Sequence, residues 1–247
     1  MLRYAALSDV GLVRRKNEDS YYIGCPLGGL EENLFIVADG MGGHRGGCYA
    51  SRFVVQKIPQ LLKEDPRTKK ISGTLLRAVE NTNAALYKIS KEDEELEGMG
   101  STLVMALCYK KRWELINVGD SRAYVWEGES LRQITQDHSL VEEMVRAGRL
   151  NREDPLYQEQ KHVITRAMGI EPLVMEDAFS LPLREGQRLL LCSDGLHGMV
   201  SDEAIAAVLK EEADTERAAG RLLDMALEAG GRDNITLILI DYQEENE

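Results

Sequence analysis

Short apolar runs closed by turn-forming residues constrain this chain more than any other feature of its sequence. Eight runs of four to seven residues are rich in Val, Ile, Leu and aromatic residues, and most are bounded by Gly, Asp or Asn, a pattern typical of β-strands. We predict strands at 3–8, 20–23, 34–38, 102–108, 113–118, 122–126, 187–192 and 235–240. The short connections at 110–112 and 119–121 predict hairpins and therefore antiparallel pairing.

Longer amphipathic segments lie in pairs between the groups of strands. We predict helices at 46–62, 71–90, 137–148, 201–212 and 215–229. Ser201 is suited to cap the start of one helix, and Gly230 stands where a helix commonly ends in a glycine. Strand groups separated by helix pairs predict an α+β fold, in which two antiparallel sheets pack together and the helices lie outside them.

The domain organisation is predicted to be simple. The sequence shows no internal repeat, low-complexity tract or Pro/Gly/Ser-rich linker. We therefore predict one domain over 1–242, with a polar flap around 149–165 and a frayed tail at 243–247.

Charge and cysteine content exclude several classes of protein. The chain has 42 acidic and 30 basic side chains and a net charge of −12, which argues against nucleic-acid binding. Its apolar runs are shorter than the roughly 18 residues of a membrane span, and its first twenty residues lack an export-signal pattern. Four dispersed cysteines without a CxxC motif support neither a disulfide scaffold nor a zinc site. We expect a cytoplasmic, monomeric protein.

Acidic residues recur where the predicted strands begin or end. The five positions are Glu18-Asp19 before SYYI, Asp39-Gly40 after LFIVA, Gly119-Asp120 after WELINV, Asp194-Gly195 after LLLCS, and Asp233-Asn234 before ITLILI. Any one of these pairs is most often only a turn. Two of the acids interrupt long apolar runs, however, and a carboxylate near the core is costly without a cationic partner. Because few basic residues are neighbours in sequence, hard divalent cations such as Mg²⁺ or Mn²⁺ are the simplest partners.

Other phosphate and hydrolase chemistries lack their motifs in this sequence. The glycines of GMGGHRGG are not followed by the Lys-Ser/Thr of a phosphate-binding P-loop, and the chain contains neither HExxH nor GxSxG. No cysteine is followed six residues later by an arginine, as a cysteine phosphatase would require. Metal-activated water is the chemistry that these exclusions leave.

Eight motifs, spread in order along nearly the whole chain, together carry a resemblance to a known family. They are VRRKNEDS (13–20), FIVADGMGGH (35–44), GMGST (98–102), INVGDSRAY (116–124), ITQDHSLVEEMVRAGRL (134–150), VITRAMG (163–169), LLLCSDGL (189–196) and GRDNITLILI (231–240). The set resembles the bacterial branch of the metal-dependent protein Ser/Thr phosphatases, the type 2C family. The resemblance implies a central β-sandwich flanked by helix pairs.

The resemblance also implies a metal site. Asp39 would bridge two Mn²⁺ or Mg²⁺ ions, the Gly40 carbonyl would bind one of them, and Asp194 and Asp233 would hold the other. A third, weaker ion would involve Asp120.

The adjacent acids at the second predicted strand would act through metal-bound waters. They are Glu18 and Asp19. Neighbouring side chains of an extended segment point in opposite directions, so Asp19 is expected to face the ions more closely.

The implied reaction is direct attack on phosphorus by a water bridging the two ions, which lower its pKa. Arg14 would clamp two phosphate oxygens through its guanidinium fork. Met41 occupies the position where many eukaryotic members carry a histidine proposed as general acid; His44 or a metal-bound water could protonate the leaving group instead.

The implied substrates are phosphorylated proteins, and the implied opposing partner is a Ser/Thr protein kinase. Two alternatives stay open at this point. One is a phosphohydrolase of small phosphomonoesters, and the other is an inactive regulatory member of the family, although the main acidic ligands are all present.

Overall fold

The secondary structure follows the predicted strand and helix pattern closely. The computed structural model describes residues 1–27, 33–42, 45–64 and 70–243. Its strands are β1 (Leu2–Asp9), β2 (Asp19–Gly24), β3 (Leu34–Met41), β4 (Gly100–Ser101), β5 (Leu103–Tyr109), β6 (Arg112–Val118), β7 (Arg122–Glu127), β8 (Ser130–Gln133), β9 (Asp177–Pro182), β10 (Arg188–Cys192) and β11 (Ile235–Tyr242). Its α-helices are α1 (Gly46–Glu64), α2 (Ile71–Glu92), α3 (Leu140–Arg146), α4 (Pro155–Gln160), α5 (Asp194–His197), α6 (Asp202–Glu211) and α7 (Thr215–Glu228).

Two antiparallel sheets form the centre of the molecule. One sheet has the order β1-β11-β10-β7-β8, and the other has the order β2-β3-β5-β6-β9, with the short β4 paired to β3. The strand pairs within both sheets are antiparallel. The predicted α+β sandwich is therefore confirmed.

The alternation of side chains along β3 explains how the layers pack. Leu34 and Ile36 belong to a core shared with α1 and α2, whereas Phe35 and Val37 belong to the core between the two sheets. A third core joins the outer face of β7, β10 and β11 to α6 and α7. Because β3 is covered on both faces, its first five residues, LFIVA, are continuously apolar rather than alternating.

Two predicted helix ends are observed in detail. The Ser201 hydroxyl accepts a hydrogen bond from the Ala204 amide at 3.3 Å and caps α6. Gly230, just beyond α7, has a φ of +121°, a conformation that favours glycine.

The connection at 119–121 was expected to be a hairpin, and this expectation is wrong. β6 and β7 lie in different sheets, so this segment crosses from one sheet to the other. Gly119 has a φ of +100°, and its amide donates to Nδ1 of the buried His138 at 3.1 Å. This long-range contact turns the chain away from the sheet it has just left.

The helix expected over 137–148 begins later, at Leu140. The Ser139 hydroxyl caps it by accepting from the Glu142 amide at 3.4 Å. Asp137 lies before the helix and instead accepts three hydrogen bonds from the Arg122 guanidinium. The expected flap likewise contains a short helix, α4, which Asp154 caps.

β8 and β9 were not predicted from the sequence because they are edge strands. Each lies at the outer end of its sheet, and its residues alternate between partly buried and exposed. Within the described residues, no helix is both long and apolar enough to cross a membrane.

Candidate metal centre and active-site cleft

A cleft of about 340 Å³ lies where the ends of strands from both sheets meet. It is reached by the start of β2, the end of β3, the crossing between β6 and β7, and the segments that follow β10 and precede β11. Antiparallel pairing brings these strand ends to one edge of the sandwich. Among the residues that the structure describes, five acidic ones line the cleft, and all five were predicted from the sequence: Glu18, Asp39, Asp120, Asp194 and Asp233.

The end of β3 positions Asp39 and Gly40. The Asp39 amide donates to the Thr102 hydroxyl at 2.9 Å, and its carbonyl accepts from the Thr102 amide at 2.8 Å. At Gly40, a Cβ atom would lie 2.0 Å from the Gly47 carbonyl oxygen and 2.7 Å from that of Glu18. Glycine is therefore required for this close approach of three backbone segments.

Asp19 and Glu18 occupy different environments at the start of β2. Asp19 pairs with Asp39 in the strand register, is buried, and accepts a hydrogen bond from the Ser193 hydroxyl at 2.7 Å. Glu18 lines the cleft itself. The closer approach of Asp19 to bound ions stays a prediction.

The other sheet contributes Asp194 and Asp233. Asp194 is the first residue of α5, directly after β10, and Asp233 precedes β11. The Arg14 guanidinium donates to Asp233 Oδ2 at 2.7 Å and is itself half exposed. The structure thus brings the predicted phosphate-binding arginine to the wall of the cleft, beside one of the predicted metal ligands.

The crossing between the sheets carries Asp120 into the cleft. Its side chain is buried, and its carbonyl lies 3.0 Å from His197 Nε2. Asp120 also lines a neighbouring pocket that contains Lys161 and His162 from the flap. Asp120 is therefore placed between the cleft and the flap.

Burial opposes the ionisation of four carboxyl groups at this site, those of Asp19, Asp39, Asp120 and Asp194. It raises the pKa of Asp19 to about 7 and that of Asp194 to about 6, and the neighbouring carboxylates add repulsion in each case. Burial and the Asp194 charge raise the pKa of Asp120 to about 8. Burial and four nearby aspartates raise the pKa of Asp39 well above its ordinary value. A divalent cation among these groups would remove this penalty.

Unpaired buried oxygens indicate where a cation fits. Within the described residues, Oδ1 of Asp19 and Oδ1 of Asp194 are buried and have no hydrogen-bond partner. In the same part of the chain, no three Asp, Glu, His or Cys side chains form a ready-made metal-binding group. The fit therefore depends on these two oxygens and on the all-oxygen donor set, which suits Mg²⁺ or Mn²⁺.

Three supporting residues were missed by sequence analysis. Thr102 and Ser193 hold Asp39 and Asp19 as described above, while the Asn234 side chain accepts from the Glu18 amide and donates to the Lys16 carbonyl. Asn234 directly follows Asp233, so its position in the motif was a usable signal. A strand-end Ser or Thr gives no comparable signal of its partner.

Comparison with known proteins defines the class. The protein phosphatase 2C family model matches residues 16–229. The chain is 37% identical over 242 residues to serine/threonine phosphatase stp of Listeria welshimeri, covering 95% of this chain and 93% of that protein. It is 32% identical to protein phosphatase PhpP of Streptococcus pneumoniae, covering 99% of both.

A solved structure is similar over the same length. The catalytic domain of serine threonine protein phosphatase PstP, in complex with two manganese ions, superposes with a TM-score of 0.85 at 38% identity, covering 98% of this chain and 99% of that one. The chain belongs to the protein phosphatase 2C family. The predicted family and fold class are confirmed.

Proposed function

We propose that the cleft hydrolyses phosphoserine and phosphothreonine in proteins, with water as the nucleophile and two divalent ions, Mn²⁺ or Mg²⁺, held by its carboxylates. The chain is a serine/threonine protein phosphatase, a hydrolytic enzyme, by its family. The observation that carries the mechanism is the convergence of five acidic residues from both sheets, together with buried carboxylate oxygens that have no partner. When bound, the ions would lower the pKa of a water molecule and offset the charge of the phosphate.

The proposed ion-holding groups are Asp39, the Gly40 carbonyl, Asp194 and Asp233. The backbone of Asp39 is fixed by strand pairing and by the Thr102 hydrogen bond, so this carboxylate is held in place before substrate arrives. Such preorganisation reduces the reorganisation needed during the reaction.

Further acids are proposed to act around this centre. Glu18 and Asp19 would hold water molecules that contact the ions, and Asp120 would help to hold a third, weaker ion. Burial and the raised pKa of Asp120 suit a group whose ionised form depends on a nearby cation.

Arg14 is proposed to bind the phosphate. Its guanidinium is half exposed at the cleft and is held by Asp233, which leaves further N–H groups available to two phosphate oxygens. This orientation would place phosphorus for in-line attack. The P–O bond to the serine or threonine oxygen breaks, and inorganic phosphate and the free hydroxyl are the products.

The proton for the leaving alkoxide has to come from a donor other than Met41, which carries no ionisable proton and lies at the position of the eukaryotic histidine. We propose that solvent in the cleft supplies it. His44 lies outside the described residues.

The test is phosphate release from a phosphothreonine peptide. We expect no release in excess chelator and recovery on addition of Mn²⁺ or Mg²⁺, because the ligand set is all oxygen. Full activity in excess chelator would contradict the metal mechanism. A parallel assay with sugar phosphates separates a protein phosphatase from a phosphatase of small esters.

Three finer properties are proposed with this function: a monomeric state, a cytoplasmic location, and action opposite a Ser/Thr protein kinase. The four cysteines are free thiols, which suits a reducing compartment. Sedimentation, cell fractionation and loss of the phosphatase in a strain with defined kinase substrates test the three in turn.

A further inference from the structure

A second groove, of about 420 Å³, lies beside the cleft and has no part in the proposed chemistry. We call it the basic groove. It is lined by Lys16, Arg45, Cys48, Tyr49, Arg52, Phe53 and Gln56.

One face of α1 forms most of the basic groove. Cys48, Arg52 and Gln56 are spaced four residues apart, and Tyr49 and Phe53 follow the same spacing, so these side chains share one side of the helix. The rings of Tyr49 and Phe53 are stacked, with centroids 6.1 Å apart and an interplanar angle of 15°. Tyr49 is 39% exposed. The groove therefore has an ordered aromatic wall that solvent can reach.

The charge of the basic groove is opposite to that of the molecule. It has three cationic lining residues, all exposed, and none of its described lining residues is acidic. The whole chain has a net charge of −12. A concentration of cations on an acidic protein attracts anionic ligands locally, because clefts lined by one sign of charge focus the field.

The basic groove adjoins the active-site cleft through Glu18. The thiol of Cys48 lies 3.9 Å from Glu18 Oε1 and 3.5 Å from the Asn17 carbonyl oxygen. Glu18 lines the cleft, and Lys16 lies on the same loop as Arg14. A peptide in the cleft, which advances about 3.3 Å per extended residue, would reach the groove within a few residues of its phosphorylated side chain.

We propose that the basic groove is a substrate subsite that binds acidic side chains flanking the phosphoserine or phosphothreonine to be hydrolysed. This inference rests on the proposed function. Arg52 would pair with aspartate, glutamate or a second phosphorylated residue, and Arg45 would do so by exchanging its exposed 3.9 Å ion pair with Glu95. The aromatic pair would contact the aliphatic part of the same segment. The enzyme would then prefer substrates phosphorylated within acidic sequences.

The test compares Arg52→Glu with Arg132→Glu as a matched control. Arg132 is also exposed, but it lies on β8, in the sheet that does not contain β3, the strand that packs against α1. Each enzyme, with saturating Mn²⁺, is assayed on three phosphothreonine peptides whose flanking positions are glutamate, glutamine or lysine. p-Nitrophenyl phosphate, which has no flanking residues, reports the basal chemistry.

We expect Arg52→Glu to lower the ratio of kcat/KM between the glutamate and glutamine peptides by at least about fivefold, because the change replaces an attraction with a repulsion. The lysine peptide should become a better substrate. Activity on p-nitrophenyl phosphate should stay within about twofold of the wild type, and the glutamate preference should weaken as salt is added. Arg132→Glu should change none of these ratios.

A binding measurement separates failure of the inference from failure of the proposed function. Fluorescence anisotropy measures the affinity of a labelled, unphosphorylated glutamate-rich peptide for wild type and Arg52→Glu, independently of turnover. Weaker binding of the peptide to Arg52→Glu than to the wild type supports the subsite, whether or not any phosphopeptide is hydrolysed. A failure of the wild type to hydrolyse any phosphopeptide would contradict the proposed function alone. Equal peptide ratios and equal binding in both enzymes would overturn the subsite. So would a change of oligomeric state in Arg52→Glu, because it would assign the groove to contacts between copies of the chain.

Discussion

Among single residues, Asp194 is expected to separate catalysis from folding most clearly. Asp194→Ala removes a proposed ion ligand and a buried carboxylate whose raised pKa reflects an unfavourable environment. We expect nearly complete loss of turnover with an unchanged or higher melting temperature in chelator, since charge repulsion is relieved.

Asp202→Ala is the matched control for Asp194→Ala. Both aspartates directly follow a serine and begin a helix, but Asp202 contacts the Tyr124 hydroxyl and not the cleft. Its activity should stay close to that of the wild type. Unfolding of Asp194→Ala in a thermal melt would instead give Asp194 a structural role.

Asp120→Asn tests the proposed third ion. Asparagine preserves the hydrogen bonds that an aspartate makes in a turn, and the other ion-holding residues are unchanged. We expect phosphoester hydrolysis to fall by at least about tenfold, equivalent to roughly 1.4 kcal/mol of transition-state stabilisation. Metal content and turnover are measured on the same preparation. Normal turnover with normal metal content would leave Asp120 as a turn residue.

Among the structural elements, the crossing between β6 and β7 depends on the conformation of its first residue, Gly119. Gly119 has a positive φ, and a Cβ atom there would lie 2.9 Å from Thr102 Cβ. Because Thr102 also holds Asp39, we expect Gly119→Ala to lower the free energy of unfolding by roughly 1–3 kcal/mol and to reduce activity. Urea denaturation and a phosphatase assay measure the two effects.

Gly128→Ala controls for backbone conformation alone. Gly128 also has a positive φ, of +54°, but nothing lies within 4 Å of its would-be Cβ. This substitution should cost roughly 1 kcal/mol and leave activity unchanged. Equal loss of activity in both variants would show that the contact with Thr102 is unimportant for the site.

The same crossing shows what the sequence could and could not predict. Asp39-Gly40 and Asp233-Asn234 were found because turn-forming residues stand at the ends of clearly apolar strands. Gly119–Ser121 was placed in a hairpin because Gly-Asp-Ser suits a hairpin and a crossing equally well. The choice between them is made by distant residues, including His138 and Thr102, whose contacts have no local signature. The ion-holding and phosphate-binding roles of the site residues stay predictions.

For the whole molecule, the buried acids predict an unusual dependence of stability on pH in chelator. A carboxyl whose folded-state pKa lies above its unfolded value binds protons more tightly when folded, so stability falls as pH rises toward the folded-state pKa. Because the pKa values of Asp19 and Asp120 are about 7 and about 8, these two carboxyls lower the stability of the folded protein as pH rises up to and beyond neutral. Burial lowers the pKa of His138 and His197, which has the opposite effect, but only below about pH 6.5.

The informative range is therefore about pH 6.5 to 8.5, where the buried carboxyls still change the stability and the histidines no longer do. We expect the metal-free protein to lose stability across this range, by at most about 1.4 kcal/mol per pH unit for each carboxyl. Mn²⁺ should remove the decline, and Asp120→Asn should reduce it. Melting temperatures in chelator at several pH values measure the effect; a stability that rises with pH there would contradict the proposed ionisation behaviour.

The position of β11 has a consequence for how the enzyme is made. β11 lies between β1 and β10 and is the sheet neighbour of β1, while Asp233 and Asn234 directly precede it. On the ribosome, β1 emerges more than two hundred residues before β11, the strand it pairs with in the described part of the chain. Contacts this distant in sequence form slowly, and an unpaired strand edge is prone to aggregation meanwhile. We infer that the nascent chain has no phosphatase activity until β11 has emerged and inserted.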